Sequence, residues 1–363
     1  MATLRQILDK AAAAGLVAAT QVPSLEAHLV QHGVRAEVAL TEPQSTIESD
    51  IVDTEVPRFI RGFHDVLITI GVLILLAGIW GLASVLALLP AVIVLAEILV
   101  VRQRLALPAV VVSLATVVWA LFTTMAVIDG LDIHPIGVVS ILLVLLPLPL
   151  VMGMFYWRYR IPIALAILLL SAFTLALTVV IYLLGRAVGT DDFVESFPLI
   201  SSAIFFLSAA GLFAVAMGYD LSDPPRVTRR SDIAFWIHLA AAPALLYAML
   251  SFVFLQKGTG LLSLDRFDAY DSAGQVLVIV IVLMAIGLII DRRAFVTSGL
   301  VSLIAAVVSI LAQGDIGGGS AVFVALLVVG SVVLVIGVGW PQLRRLVVGL
   351  LPEGLKAKLP PLR

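Results

Sequence analysis

At 363 residues the chain is 61% apolar and 13% charged, where a soluble protein of ordinary composition carries about a quarter charged residues. That excludes an ordinary water-soluble domain and points to a lipid environment. The formal net charge of -2 gives no reason to expect nucleic acid as a partner, and the absence of cysteine removes disulfides, thiolate catalysis and thiolate metal sites.

The chain begins with Leu4, Ile7, Leu8, Ala11 and Ala12 at helical spacing, ending near Gly15; a second short helix follows Thr20 and stops at Gly33. Residues 1–33 therefore read as a small cytoplasmic helical hairpin. No apolar run with a small-residue cleavage site is present there, so no signal peptide is expected. Residues 34–57 carry Glu37, Glu42, Glu48, Asp50, Asp53 and Glu55 with one basic residue, the pattern of an acidic linker tethering the hairpin. A tail with only nascent helix is the alternative, because helices of this length are marginal without tertiary support.

From residue 58 to 340 the chain reads as a transmembrane helix bundle. Runs of about 20 apolar residues recur about ten times, near 64–82, 84–101, 105–128, 134–156, 161–184, 198–217, 233–255, 273–290, 294–312 and 319–339. Arginines mark every second junction: Arg58 and Arg61, Arg102 and Arg104, Arg158 and Arg160, Arg226 with Arg229 and Arg230, Arg292 and Arg293, Arg344 and Arg345. The intervening loops are acidic, so the positive-inside rule places both termini in the cytoplasm. Tyr156, Trp157, Tyr159 and Trp340 are expected at the headgroup level. Small residues at Ala210, Ala214 and Gly218, at Gly71 and Gly78, and at Gly330 and Gly337 are spaced for close helix approach. The four inward turns at 102–104, 158–160, 226–230 and 291–293 hint at an internal repeat, though any ten-helix chain obeying the positive-inside rule shows much of this pattern. Residues 341–363 form a basic amphipathic tail, with Leu343, Leu346, Val347, Leu350 and Leu351 beside Arg344, Arg345, Lys356 and Lys358. It reads either as an interfacial helix on an anionic leaflet or as a solvated tail.

Ionisable groups in hydrocarbon are costly and call for an explanation. Glu97, five residues before Arg102, lies about 7 to 8 Å inside its helix end. His238, eight residues after Arg230, lies at similar depth from the same side. One reading makes the two proton or substrate contacts of a cavity open to the cytoplasm. The other has Glu97 snorkel to the inner surface or pair with an arginine, and gives His238 a backbone carbonyl freed by Pro243. Asp232, with Ser231, is expected to cap the start of its helix, and Asp291 to cap the helix after it. Arg226, Arg229 and Arg230 satisfy topology and are candidate headgroup or phosphate contacts.

Enzyme signatures are missing: the five histidines never fall at His-Glu-x-x-His spacing, and His28 and His32 lack a third metal ligand nearby. No catalytic residue, metal or cofactor is expected, and oligomeric state leaves no mark in the sequence. The stretch from Gly15 to Val17, the acidic linker, the segment Pro57-Arg58-Phe59-Ile60-Arg61-Gly62-Phe63-His64-Asp65, and the block running from Ser222-Asp223-Pro224 through His238-Leu239 to Pro243 resemble uncharacterised bacterial multi-pass inner-membrane proteins with an N-terminal cytoplasmic domain of unknown function. The resemblance implies an inner-membrane location and carries no activity. The expectation is thus an all-α polytopic bundle in contact with the lipid bilayer. Two functions are open, a small-solute transporter or permease using Glu97 and His238, and a non-transporting scaffold or regulatory protein whose hairpin binds a cytoplasmic protein partner.

Overall fold

A computed structural model describes residues 4–31, 63–223, 226, 228–257, 269–298, 318–356 and 359. The chain divides into two compact units, Met1–Thr54 and Glu55–Arg363. In the first, α1 (Leu4–Ala13) and α2 (Val22–Gln31) form the expected hairpin. Leu4, Leu8 and Val22 are buried between them, and Arg5 reaches across to Glu26 at 2.8 Å. That hydrogen bond raises the Arg5 guanidinium above its ordinary value. Gly15 takes a φ of 73° at the end of the first helix, a left-handed conformation that a residue without Cβ adopts at no steric cost. The acidic linker and His32 lie outside the described residues.

The described residues of the second unit are helical. Seven helices are long and apolar enough to cross a membrane: α3 (Phe63–Ala83), α4 (Val85–Arg102), α5 (Ala106–Gly130), α6 (Val138–Tyr159), α7 (Pro162–Val188), α8 (Pro198–Leu221) and α9 (Arg229–Lys257). They correspond to the first seven apolar runs. In hydrocarbon a backbone must satisfy its own polar groups, which a continuous helix does. Apolar side chains such as Leu67, Ile74, Leu150 and Leu207 point outwards, as expected when the surrounding solvent is lipid.

The count of about ten spans is not reached among the described residues. Helix α10 (Ala269–Ile290) has an apolar stretch, Gly274–Ile290, shorter than a full span. The run expected at 294–312 begins as helix at 294–298, and the remainder lies outside the described residues. Helix α11 (Gly318–Val338) is followed by α12 (Trp340–Gly349), and the segments Leu326–Val338 and Trp340–Gly349 meet at 73°. The bend falls where Pro341 lacks the N–H that would continue the helix. Counting that bent pair as one crossing gives eight spans.

Helices α3, α4, α5 and α6 share one core around Val92, Ala96, Val112, Met152 and Ala164, the last from α7. A second core joins α8, α9 and α10 through Leu246, Val276, Leu283 and Phe295. Between them α7, α8 and α9 meet at Leu212, Ala216, Ile237 and Ala241. Small residues allow this: Ala210, as expected, packs against the second core, but the expected glycines do not make close approaches. Gly71, Gly78, Gly218, Gly330 and Gly337 have nothing near a would-be Cβ, whereas at Gly211 it would lie 2.9 Å from the Phe173 ring.

The arginine-bearing turns share a backbone feature. Arg104, Arg160, Arg226 and Asp291 all take left-handed φ between 54° and 57°. In the first two, the next residue is extended with almost identical angles (Leu105 φ -77°, ψ 132°; Ile161 φ -77°, ψ 129°) and a helix starts immediately. The sequence similarity of these turns is therefore matched by local geometry in the first pair, while the later two run differently.

Candidate functional site

The polar centre of the second unit is assembled from four separated stretches: the end of α8, the loop and start of α9, the turn after α10, and α12. Asp220, one residue from the end of α8, is 9% exposed and His238 is fully buried. Their closest approach is 2.8 Å, from His238 Nε2 to Asp220 Oδ2. A carboxylate can only accept, so the imidazole proton sits on Nε2. Arg292, 2% exposed, donates through Nε to the same oxygen at 3.1 Å and through Nη2 to Oδ1. A planar guanidinium thus grips a planar carboxylate with two parallel bonds, the geometry that holds best in a desolvated site. His238 is packed edge-on against Phe213 and Phe295, with ring centres 5.7 and 5.9 Å away. Its Nδ1 has no partner among the described residues.

One residue before Arg292, Asp291 anchors a second network. Helix α10 ends there in a turn whose Arg292 N–H returns to the Gly287 carbonyl at 2.8 Å, a six-residue closure typical of helix C-termini with a left-handed residue after the last turn. A Cβ on Gly287 would lie 2.9 Å from the Arg292 carbonyl oxygen and 3.1 Å from Phe295 Cβ, so glycine is what lets this return segment lie against the helix. The Asp291 carboxylate accepts from Trp340 Nε1 at 2.9 Å and from Arg226 Nη1 at 3.3 Å, with Arg344 Nε 3.7 Å away. Arg226 also donates to the main-chain oxygens of Asp291 and Ile290, at 3.1 and 2.7 Å. Behind it, Asp223 accepts from the Thr228 amide at 2.8 Å and its hydroxyl at 2.7 Å, closing the α8–α9 loop.

Three buried aspartates, Asp220, Asp223 and Asp291, are therefore gathered with three buried arginines, Arg226, Arg292 and Arg344. With His238 neutral the set has no net charge, which is the condition for holding so many ions out of water. Both oxygens of Asp220 already accept, and among the described residues no nucleophile is hydrogen-bonded to the histidine. What the arrangement does is bind α8, α9, α10 and α12 to one another at their arginine-bearing ends.

The residues singled out from sequence fall in three places. His238 belongs to this cluster, but its partner is Asp220, not a carbonyl freed by Pro243. Glu97 lies elsewhere, in a π-helical last stretch of α4, Ala96–Arg102. It pairs with Arg158 at 2.7 Å and accepts from the Tyr159 hydroxyl at 3.3 Å, as the arginine-pairing alternative anticipated. The partners of Glu97 and His238 do not overlap, so the structure does not bring the two together. Arg226 is buried and occupied by Asp291, while Arg229 and Arg230 are exposed.

Both capping expectations are corrected. Helix α9 starts at Arg229, with Thr228 as the cap accepting from the Arg230 amide, and Asp232 sits within the first turn. Asp291 turns its carboxylate to Arg226 and Trp340. Trp340 itself is 5% exposed, packed inside the bundle with its N–H on a buried acceptor.

The sequence marks none of Asp220, Asp291, Arg292, Trp340 and Arg344 as a site residue: it offers Asp291 as a helix cap, Arg292 and Arg344 as topology signals and Trp340 as an interfacial aromatic. Arginines at such junctions satisfy topology, so a second use leaves no separate trace; the available signal was an aspartate at the very end of an apolar run, as at both 220 and 291. No family model matches the chain, and no curated protein or solved structure shows significant similarity to it.

Proposed function

We propose that this chain is a non-transporting integral membrane protein, a scaffold or regulatory component that holds a helical hairpin on an acidic tether for a cytoplasmic protein partner. In this reading the second unit crosses the bacterial inner membrane about ten times with both termini inside, and neither Glu97 nor His238 handles a solute or takes part in catalysis. The observation that carries it is the enclosure of the buried polar centre: among the described residues, the one histidine well inside an apolar span is packed against Asp220, Arg292 and two phenylalanines. Several hydroxyls of the spans turn back to their own helices, whereas those of Thr123, Ser201 and Ser202 are buried with no hydrogen-bond partner among the described residues. Thr116 donates to the Val112 carbonyl at 2.8 Å, Thr174 to Leu170 and Thr178 to Thr174. A transporter instead needs polar groups converging on a hydrated cavity.

The test uses the cysteine-free background. Ala234 and Ala242 flank His238 by one helical turn on the same face and are fully buried. Single cysteines there should resist a membrane-impermeant maleimide applied from either side and react once the protein is unfolded in detergent. Reaction in the native membrane from one side would mean water reaches the histidine, and the transporter reading would replace this one.

A further inference from the structure

We infer that the outer surface of the charge cluster is a binding site for the phosphate headgroup of an anionic phospholipid, with α12 as the ledge on which the lipid rests. The inference relies on the multi-pass reading above and adds a ligand to it. Its starting point is what the Asp291 carboxylate gathers. By holding Arg226, Trp340 and Arg344, it fixes three basic stretches side by side, and each places an exposed arginine next to its buried one. Arg229 and Arg230 follow Arg226, Arg293 follows Arg292, and Arg345 follows Arg344; all four are exposed. Arg293 lies over the Trp340 ring, 5.7 Å from its centre, so its guanidinium stands at the base of α12.

Helix α12 has the shape for a lipid surface. Its bend of 73° away from the preceding segment turns it from the direction of a spanning helix towards the membrane plane. Trp340, Arg344 and Val348 form the face against the bundle. Leu346 and Leu350, 66% and 82% exposed, project on one flank. Arg345 projects on the other, about 100 to 140° around the helix. One flank thus suits acyl chains and the other a phosphate, the division found in helices lying at the interface. The buried aspartates cannot repel an incoming phosphate strongly, since three buried arginines balance the three of them in number.

The experiment uses the full chain in mixed micelles holding equal phosphatidylglycerol and phosphatidylcholine, with retained lipid read by native mass spectrometry. The unaltered chain should retain phosphatidylglycerol preferentially. A basic residue close to an anionic surface is worth about fivefold in binding, so R293Q/R345Q should lower that preference by an order of magnitude or more. L346Q/L350Q should lower it too, while R186Q, at the other end of α7, should not. The inference is overturned if R293Q/R345Q keeps the preference, or if R186Q loses as much. It is also overturned if L346Q/L350Q has no effect and inorganic phosphate displaces the lipid, which would make this a free-phosphate site. Failure of the unaltered chain to insert into vesicles would instead strike the multi-pass reading itself.

Discussion

Replacing Asp220 by asparagine keeps the shape of the side chain and removes its charge. Arg292, 2% exposed, then keeps a buried positive charge without its carboxylate, and His238 Nε2 faces an amide in place of an anion. Removing one member of a buried ion pair costs about 3 to 5 kcal/mol, or about two to three and a half decades in the folding equilibrium. The same range applies to R292Q, which leaves the aspartate uncompensated. Because both changes abolish one interaction, the double variant D220N/R292Q should cost clearly less than the sum of the two. The triple variant D220L/H238L/R292M, which removes every charge together, should recover much of the stability, as apolar replacements of buried ion clusters do. Equilibrium unfolding in mixed detergent micelles, followed by tryptophan fluorescence, measures all four. Additive single costs, or a D220N midpoint equal to that of the unaltered protein, would refute the account of Asp220 as the anion that keeps Arg292 buried.

Three further outcomes follow from neighbouring geometry. W340F removes the N–H that meets Asp291 at 2.9 Å and should cost about 1 to 3 kcal/mol, seen as faster proteolysis within residues 341–350. G287A places a methyl group 2.9 Å from the Arg292 carbonyl oxygen and should lower the thermal midpoint by the equivalent of about 1 to 3 kcal/mol; G218A, where nothing lies within 4 Å, serves as the control and should not. E97Q breaks a pair whose side chains are 37% and 53% exposed, so its cost should stay within about 1 kcal/mol and shrink with added salt.

The sequence by itself determined that this is an all-helical chain with repeated membrane-length apolar segments, and where the first seven lie, because apolar length and backbone self-satisfaction act locally along the chain. It also located the hairpin, from a helical spacing that ends at Gly15. Tertiary structure alone decided which polar groups meet. His238 and Asp220 are 18 residues apart and Arg292 is 72 residues from Asp220, and no periodicity links positions brought together only when α8, α9 and α10 pack. For the same reason Trp340 reads from sequence as an interfacial aromatic and Arg226 as a topology signal. Each residue type satisfies both roles, and only the presence of Asp291 within hydrogen-bond reach selects the buried one.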